Sequence, residues 1–215
     1  MRTKFQEQLD ILNKDLMNMG ALIEKSIEDA VDALMKKDID KAKKVMDGDT
    51  VIDNEEKKIH NICFNILMQQ QPVAKDLRLV SAAMKMVTDM ERIGDHASDI
   101  SEITIFLAKK PLDGRAKHID RMATETVKML IESIEAFIDK DIEKARSVIK
   151  NDDIIDSLFL KTKQDVIDMI SDNRNSGEVA TDILMIAKYF ERIGDHATNI
   201  AEWVIYAYSD TAEEI

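Results

Sequence analysis

Four of the acidic pairs spaced four positions apart in this 215-residue chain stand at matching places in its two halves: Asp49/Asp53, Glu91/Asp95, Asp152/Asp156 and Glu191/Asp195. On a helix that spacing stacks two carboxylates on one face, one turn apart. Each such like-charged pair costs about 0.2–0.5 kcal/mol on an exposed helix, and a gathered cluster costs more, so the acids require a counter-charge. An all-oxygen donor set suits hard or borderline cations: Mg, Mn, Fe or Zn ions, and Ca²⁺ where the geometry is loose. Two of the pairs lie inside an identical heptapeptide, ERIGDHA, at 91–97 and 191–197. At about 100° per residue, Glu91, Asp95, Asp99 and Glu102 fall within one arc of roughly 80°. The second copy places Glu191, Asp195, Asn199 and Glu202 there, with one charge fewer. The candidate metal ligands are therefore Asp49, Asp53, Glu91, Asp95, Asp99, Asp152, Asp156, Glu191, Asp195 and Asn199.

The neighbouring residues read differently. Arg92 and Arg192 lie about 100° round the helix from the acids and are expected to point elsewhere. His96 and His196 are equally displaced and are assigned packing or hydrogen-bonding roles. His60 shares the arc of Asp49, Asp53 and Glu56, but its counterpart in the second half is Lys163, and His118 reads as surface. Gly94 and Gly194 sit mid-helix at a cost of about 1 kcal/mol each relative to Ala, which points to close approach by another backbone.

Helices must carry these residues. Only 6 Gly and 2 Pro interrupt the chain, and apolar residues recur at helical spacing nearly throughout. Leu9, Leu12, Leu16, Met19, Ile23, Ile27, Ala30, Val31 and Leu34 mark one face of a first helix over about 3–36. Asp38 is placed to cap a second helix running to about Gln70, and Pro72 suits the first turn of a third reaching about Lys109. The stretch KKPLDG (109–114) is the clearest linker. A fourth helix is predicted over about 115–139, a fifth capped by Asp141 to about 171, and a sixth after SDNRNSG (171–177) to about Tyr208. KDIDKAKKVMDGDTVID (37–53) aligns with KDIEKARSVIKNDDIID (140–156) at an offset of 103, and the final helices align at an offset of 100. The chain thus reads as all-α: two tandem three-helix bundles, residues 1–110 and 111–215, each up-down-up. In the hairpin around Pro72, Asp53 and Glu91 stand equally far from the turn, and Asp49 and Asp95 are level within about one turn. The second hairpin repeats this for Asp156 and Glu191.

Composition removes other classes. A formal net charge of −12 with no basic stripe argues against nucleic acid. One cysteine, Cys63, excludes a disulfide framework or thiolate cluster within the chain. No segment approaches the roughly 18 apolar residues of a membrane span and the N-terminus lacks an apolar leader, so direct membrane insertion is not expected and a cytoplasmic protein is. No phosphate-cradling glycine loop and no nucleophile–base pair is evident, which favours a non-enzyme. The alternative is a metal-dependent phosphohydrolase or oxidase built on the clustered carboxylates.

The two copies of ERIGDHA(S/T)(D/N)I within a duplicated three-helix unit resemble the PhoU family. QQPVAKDLRLVSAAMKMVTDMERIGDHASDI (70–100) and DILMIAKYFERIGDHATNIAE (182–202) are similar to that family's two signature segments. The resemblance implies metal binding through E(D)xxxD motifs, here the four acidic pairs. It also implies a negative regulator of phosphate uptake and of phosphate-starvation signalling. Expected partners are the ATPase subunit of a phosphate ABC transporter and a membrane sensor histidine kinase. Large amphipathic helical surfaces further suggest a homodimer.

Overall fold

The computed structural model describes residues 2–69, 74–110 and 118–209. Six long helices account for nearly all of them: α1 (Arg2–Lys36), α2 (Ile39–Gln69), α3 (Ala74–Leu107), α4 (Ile119–Asp139), α5 (Ile142–Asp172) and α6 (Gly177–Tyr208). A short 3₁₀ turn, Arg174–Ser176, precedes α6, and the described residues include no strand. These are the expected six elements. Pro72, residues 111–114 of the expected linker and the first residues of the expected fourth helix lie outside the described residues.

The turns between α1 and α2 and between α4 and α5 are copies of one device. Lys37 (φ 56°) and Lys140 (φ 60°) occupy the left-handed region at the two helix ends. Their N–H groups donate to Leu34 O and Phe137 O, and the next N–H groups, of Asp38 and Asp141, donate to Ala33 O and Ala136 O, each at 2.9 Å. That pattern satisfies the last carbonyls of the helix. Asp38 and Asp141 then turn to cap the following helices, each accepting through Oδ1 from the N–H three residues on, Lys41 and Lys144, at 2.9 Å. The ammonium groups of these same lysines reach back across the turn, Lys41 to Asp29 and Asp32, Lys144 to Glu135 and Asp139. Two residues thus suffice to reverse the chain, forcing antiparallel neighbours.

Each half packs its three helices on one another, and the halves meet along α3–α6 and α1–α4. The α3–α6 contact is as extensive as that of α3 with its own hairpin partner α2. A single buried cluster runs through both halves, from Leu12, Leu16 and Met19 of α1 through Met86 and Met90 of α3 to Phe137 of α4 and Phe190 of α6. Met84, Met86 and Met90 belong to this packing, as the apolar stripes predicted. Cys63 is fully buried and its thiol is pushed up to about 12 by that burial, so it is an inert core residue. No described helix is long and apolar enough to cross a membrane.

Candidate metal centre

The hairpin of α2 and α3 brings the first two acidic pairs to one level, as their distances from the turn predicted. Asp49, Asp53 and Asp95 each offer a carboxylate oxygen, and the three oxygens lie within 4.8 Å of one another. Ligand oxygens around one cation at bond lengths of about 2.0–2.6 Å are separated by no more than roughly 5 Å, so this donor set fits a hard ion. All three residues are half-buried. The Asp49 carboxyl is pushed up to about 6, first by burial and then by the negative charges of Asp95, Asp53 and Asp99. Glu91 is also raised, by burial and then by Asp95, against the pull of Arg92, with Glu56 and Asp53 adding to the effect. Six carboxylates from two helices, including Glu56, therefore face one another.

The second half repeats the plan more loosely. Asp152 is pushed up to about 6 by burial and then by Asp195, Asp156 and Glu191, so the same four residues converge. Asp156 and Asp195 are exposed, however, and among the described residues only the first half assembles a compact oxygen trio. An internal cation also serves the second set: the Lys188 ammonium is ion-paired with Glu191. Its counterpart in the repeat is Thr88, which instead donates to its own helix at Met84 O.

Gly94 and Gly194 each lie against the partner helix of their hairpin. A Cβ on Gly94 would come within 2.9 Å of Ile52 Cδ1 and 3.0 Å of its Cγ2. On Gly194 it would meet Asp152 Oδ1 at 2.8 Å and Ile155 Cγ2 at 3.4 Å. The close approach is as expected, but the neighbour is side chain, not backbone: α2 and α5 lay an isoleucine, and in the second half the acid itself, into the gap.

Two readings of single residues are corrected. Arg92 does not point away from the acids; its guanidinium folds back over the helix, with Nη1 donating to Asp95 Oδ2 at 2.9 Å and Nε 3.4 Å from Glu91 Oε2. A long flexible stem covers the angular separation that the helical wheel treats as fixed. His118 is not plain surface but sits 3.3 Å from Asp165 Oδ2. Asn199 turns its amide to Asp89 of α3, donating at 3.3 Å, and so reaches the other half of the molecule. His96 and His196 hold hydrogen bonds, as assigned, His96 Nδ1 to Asp99 and His196 Nδ1 to Asp89. An ionised carboxylate only accepts, so both Nδ1 atoms carry the proton. Asp89 escaped the sequence reading because its repeat counterpart is Tyr189; a mismatch between the copies was the available signal.

The PhoU domain family model matches the chain twice, over residues 16–104 and 119–204. The phosphate-specific transport system accessory protein PhoU homolog of Clostridium acetobutylicum is 36% identical over 211 residues, covering 95% of this chain and 94% of that protein. The Pseudomonas aeruginosa homolog is 34% identical over 209 residues, covering 97% and 86%. A crystal structure of PhoU from Pseudomonas aeruginosa superposes with a TM-score of 0.90 over 96% of this chain and all of that one. The PhoU structure from Streptococcus pneumoniae gives 0.88 at 25% identity, over 98% of this chain.

Proposed function

The chain belongs to the PhoU family, and from that premise we propose that it is a cytoplasmic, non-enzymatic, metal-binding accessory protein of the phosphate-specific transport system. It acts as a negative regulator of phosphate uptake and of phosphate-starvation signalling. Its partners on this reading are the ATPase subunit of the phosphate ABC transporter and a membrane sensor histidine kinase. The observation that carries the accessory role is the match of both repeats, over nearly the whole chain, to relatives named for that transport system. Residues 1–110 and 111–215 are the two repeat units.

Asp49, Asp53 and Asp95, with Glu91 and Asp99 beside them, are the proposed main cation site; Asp152, Asp156, Glu191 and Asp195 form a weaker second one. What supports the ranking is the compact half-buried trio in the first half, since each set has an internal cation, Arg92 in the first and Lys188 in the second. A bound Mg, Mn, Fe or Zn ion would neutralise the carboxylates and hold α2 against α3, with availability governing which ion is present. Exposed apolar side chains, among them Phe64 and Met68 of α2 and Leu160 of α5, supply surface for a transporter subunit or for a homodimer.

Removal of the gene from its host tests the regulatory role. Phosphate-starvation genes become expressed at high phosphate, the intact gene restores repression, and Asp49→Ala/Asp95→Ala restores it incompletely. Unchanged expression on removal would discard the reading. Phosphoester turnover by metal-loaded protein, abolished in Asp95→Ala, would replace it with an enzymatic one.

A further inference from the structure

The repeated heptapeptides meet each other as well as their acidic partners. His96 of α3 and His196 of α6 lie with ring centroids 5.6 Å apart where the two halves join. His196 Nδ1 donates to Asp89 Oδ1 at 2.8 Å, across the seam, and Asn199 Nδ2 donates to the same oxygen at 3.3 Å. On the other side the His96 ring packs against Tyr189 at 5.4 Å, and its Nδ1 finds Asp99 of its own helix at 3.3 Å. Asp89 and Tyr189 are the same position of the repeat, and so are Asp99 and Asn199, each offset by 100. Two of the differences that flank the identical motif, Asp89/Tyr189 and Asp99/Asn199, therefore fall in this seam. Their joint effect is that each imidazole receives one carboxylate.

A duplicated chain faces a pairing problem that an ordinary chain does not. The seam faces of α3 and α6 descend from one surface, so α3 resembles a partner for α3 of another copy, and α6 for α6. The polar residues distinguish these options. An α3–α3 seam would hold Asp89 and Asp99 twice, four carboxylates against two imidazoles. An α6–α6 seam would hold Tyr189 and Asn199 twice, with no carboxylate for either imidazole. Only α3 against α6 matches one acid to each histidine. We infer that Asp89/Tyr189 and Asp99/Asn199 form a pairing code that docks α3 on α6 of the same chain and rejects seams between like helices of two copies. Rejection works through surplus charge in one wrong pairing and unpartnered imidazoles in the other. Of the four code positions, Asp99 also lies beside the proposed cation site, whereas Asp89, Tyr189 and Asn199 stand apart from the oxygen trio.

Exchange of the code in the full-length protein tests it, read by urea unfolding midpoint and by size-exclusion light scattering. Asp89→Tyr/Tyr189→Asp puts two acids around His96 and none around His196; the midpoint is expected to fall by about 1 M, the scale of a lost charge-assisted hydrogen bond, with new association of chains. Adding Asp99→Asn/Asn199→Asp mirrors the code completely, and midpoint and size are expected to return at least halfway to wild type. A fourfold exchange no more stable than the twofold one would overturn the inference. Should the exchanged chains fail to fold, Asp89→Asn, His196→Gln and their combination decide the matter. Coupled losses support the code, and strictly additive ones overturn it.

Discussion

Burial, and then the charges of Asp95, Asp53 and Asp99, raise the half-buried Asp49 carboxyl to about 6. Asp152 answers to the same description in the second half. A carboxyl whose folded pKa exceeds its unfolded value near 4 binds more protons folded than unfolded. The stability it contributes is fully present below pH 4 and is lost as pH rises through about 6. The cation-free protein should therefore show a falling contribution from these sites between pH 4 and pH 6, measured as the urea midpoint against pH, and Asp49→Asn should flatten that slope. Protons and cations compete for the same oxygens, so Mn²⁺ affinity measured by calorimetry should weaken as pH falls through 6. Gly94 gives a second residue-level prediction. Alanine there gains about 1 kcal/mol of helix propensity, but its Cβ meets Ile52 at 2.9–3.0 Å. Overpacking of about 1–3 kcal/mol should prevail, so Gly94→Ala lowers the denaturation midpoint. Ile52→Val, which removes the closer Cδ1 atom, should recover part of the loss.

The helices themselves were legible because each has an apolar face at helical period, and α2 and α5 each begin at a capping Asp. The level of the acids across the first hairpin was legible too, since equal distance from a tight turn means equal height in antiparallel helices. Side-chain reach was not. Arg92 with Asp95 and Lys188 with Glu191 both stand at the i,i+3 spacing of a helix ion pair, but the wheel angle alone does not fix where such long side chains settle. Left-handed Lys37 and Lys140 also carry no glycine signal, although both copies of the turn adopt that conformation. At this scale Asp141→Ala should cost about 1 kcal/mol in unfolding free energy through the lost cap to Lys144 N–H. Asp38→Ala should cost a similar amount, as the copies share geometry. A urea titration of each variant checks both.

The two halves are copies in fold but not in chemistry. Asp89 and Asn199 meet across the molecule because α3 packs on α6, and no periodicity within either helix announces such a contact. Among the described residues only the first half gathers three carboxylate oxygens within 4.8 Å, the ground on which it is proposed as the main cation site, while in the second Lys188 is ion-paired with Glu191. Elemental analysis of protein purified without chelator measures this most directly. Wild type should retain a tightly held metal ion, Asp49→Asn/Asp95→Asn should lose it, and Asp152→Asn/Asp195→Asn should keep most of it. Wild-type protein carrying no more metal than the Asp49→Asn/Asp95→Asn variant would contradict the assignment of a metal centre.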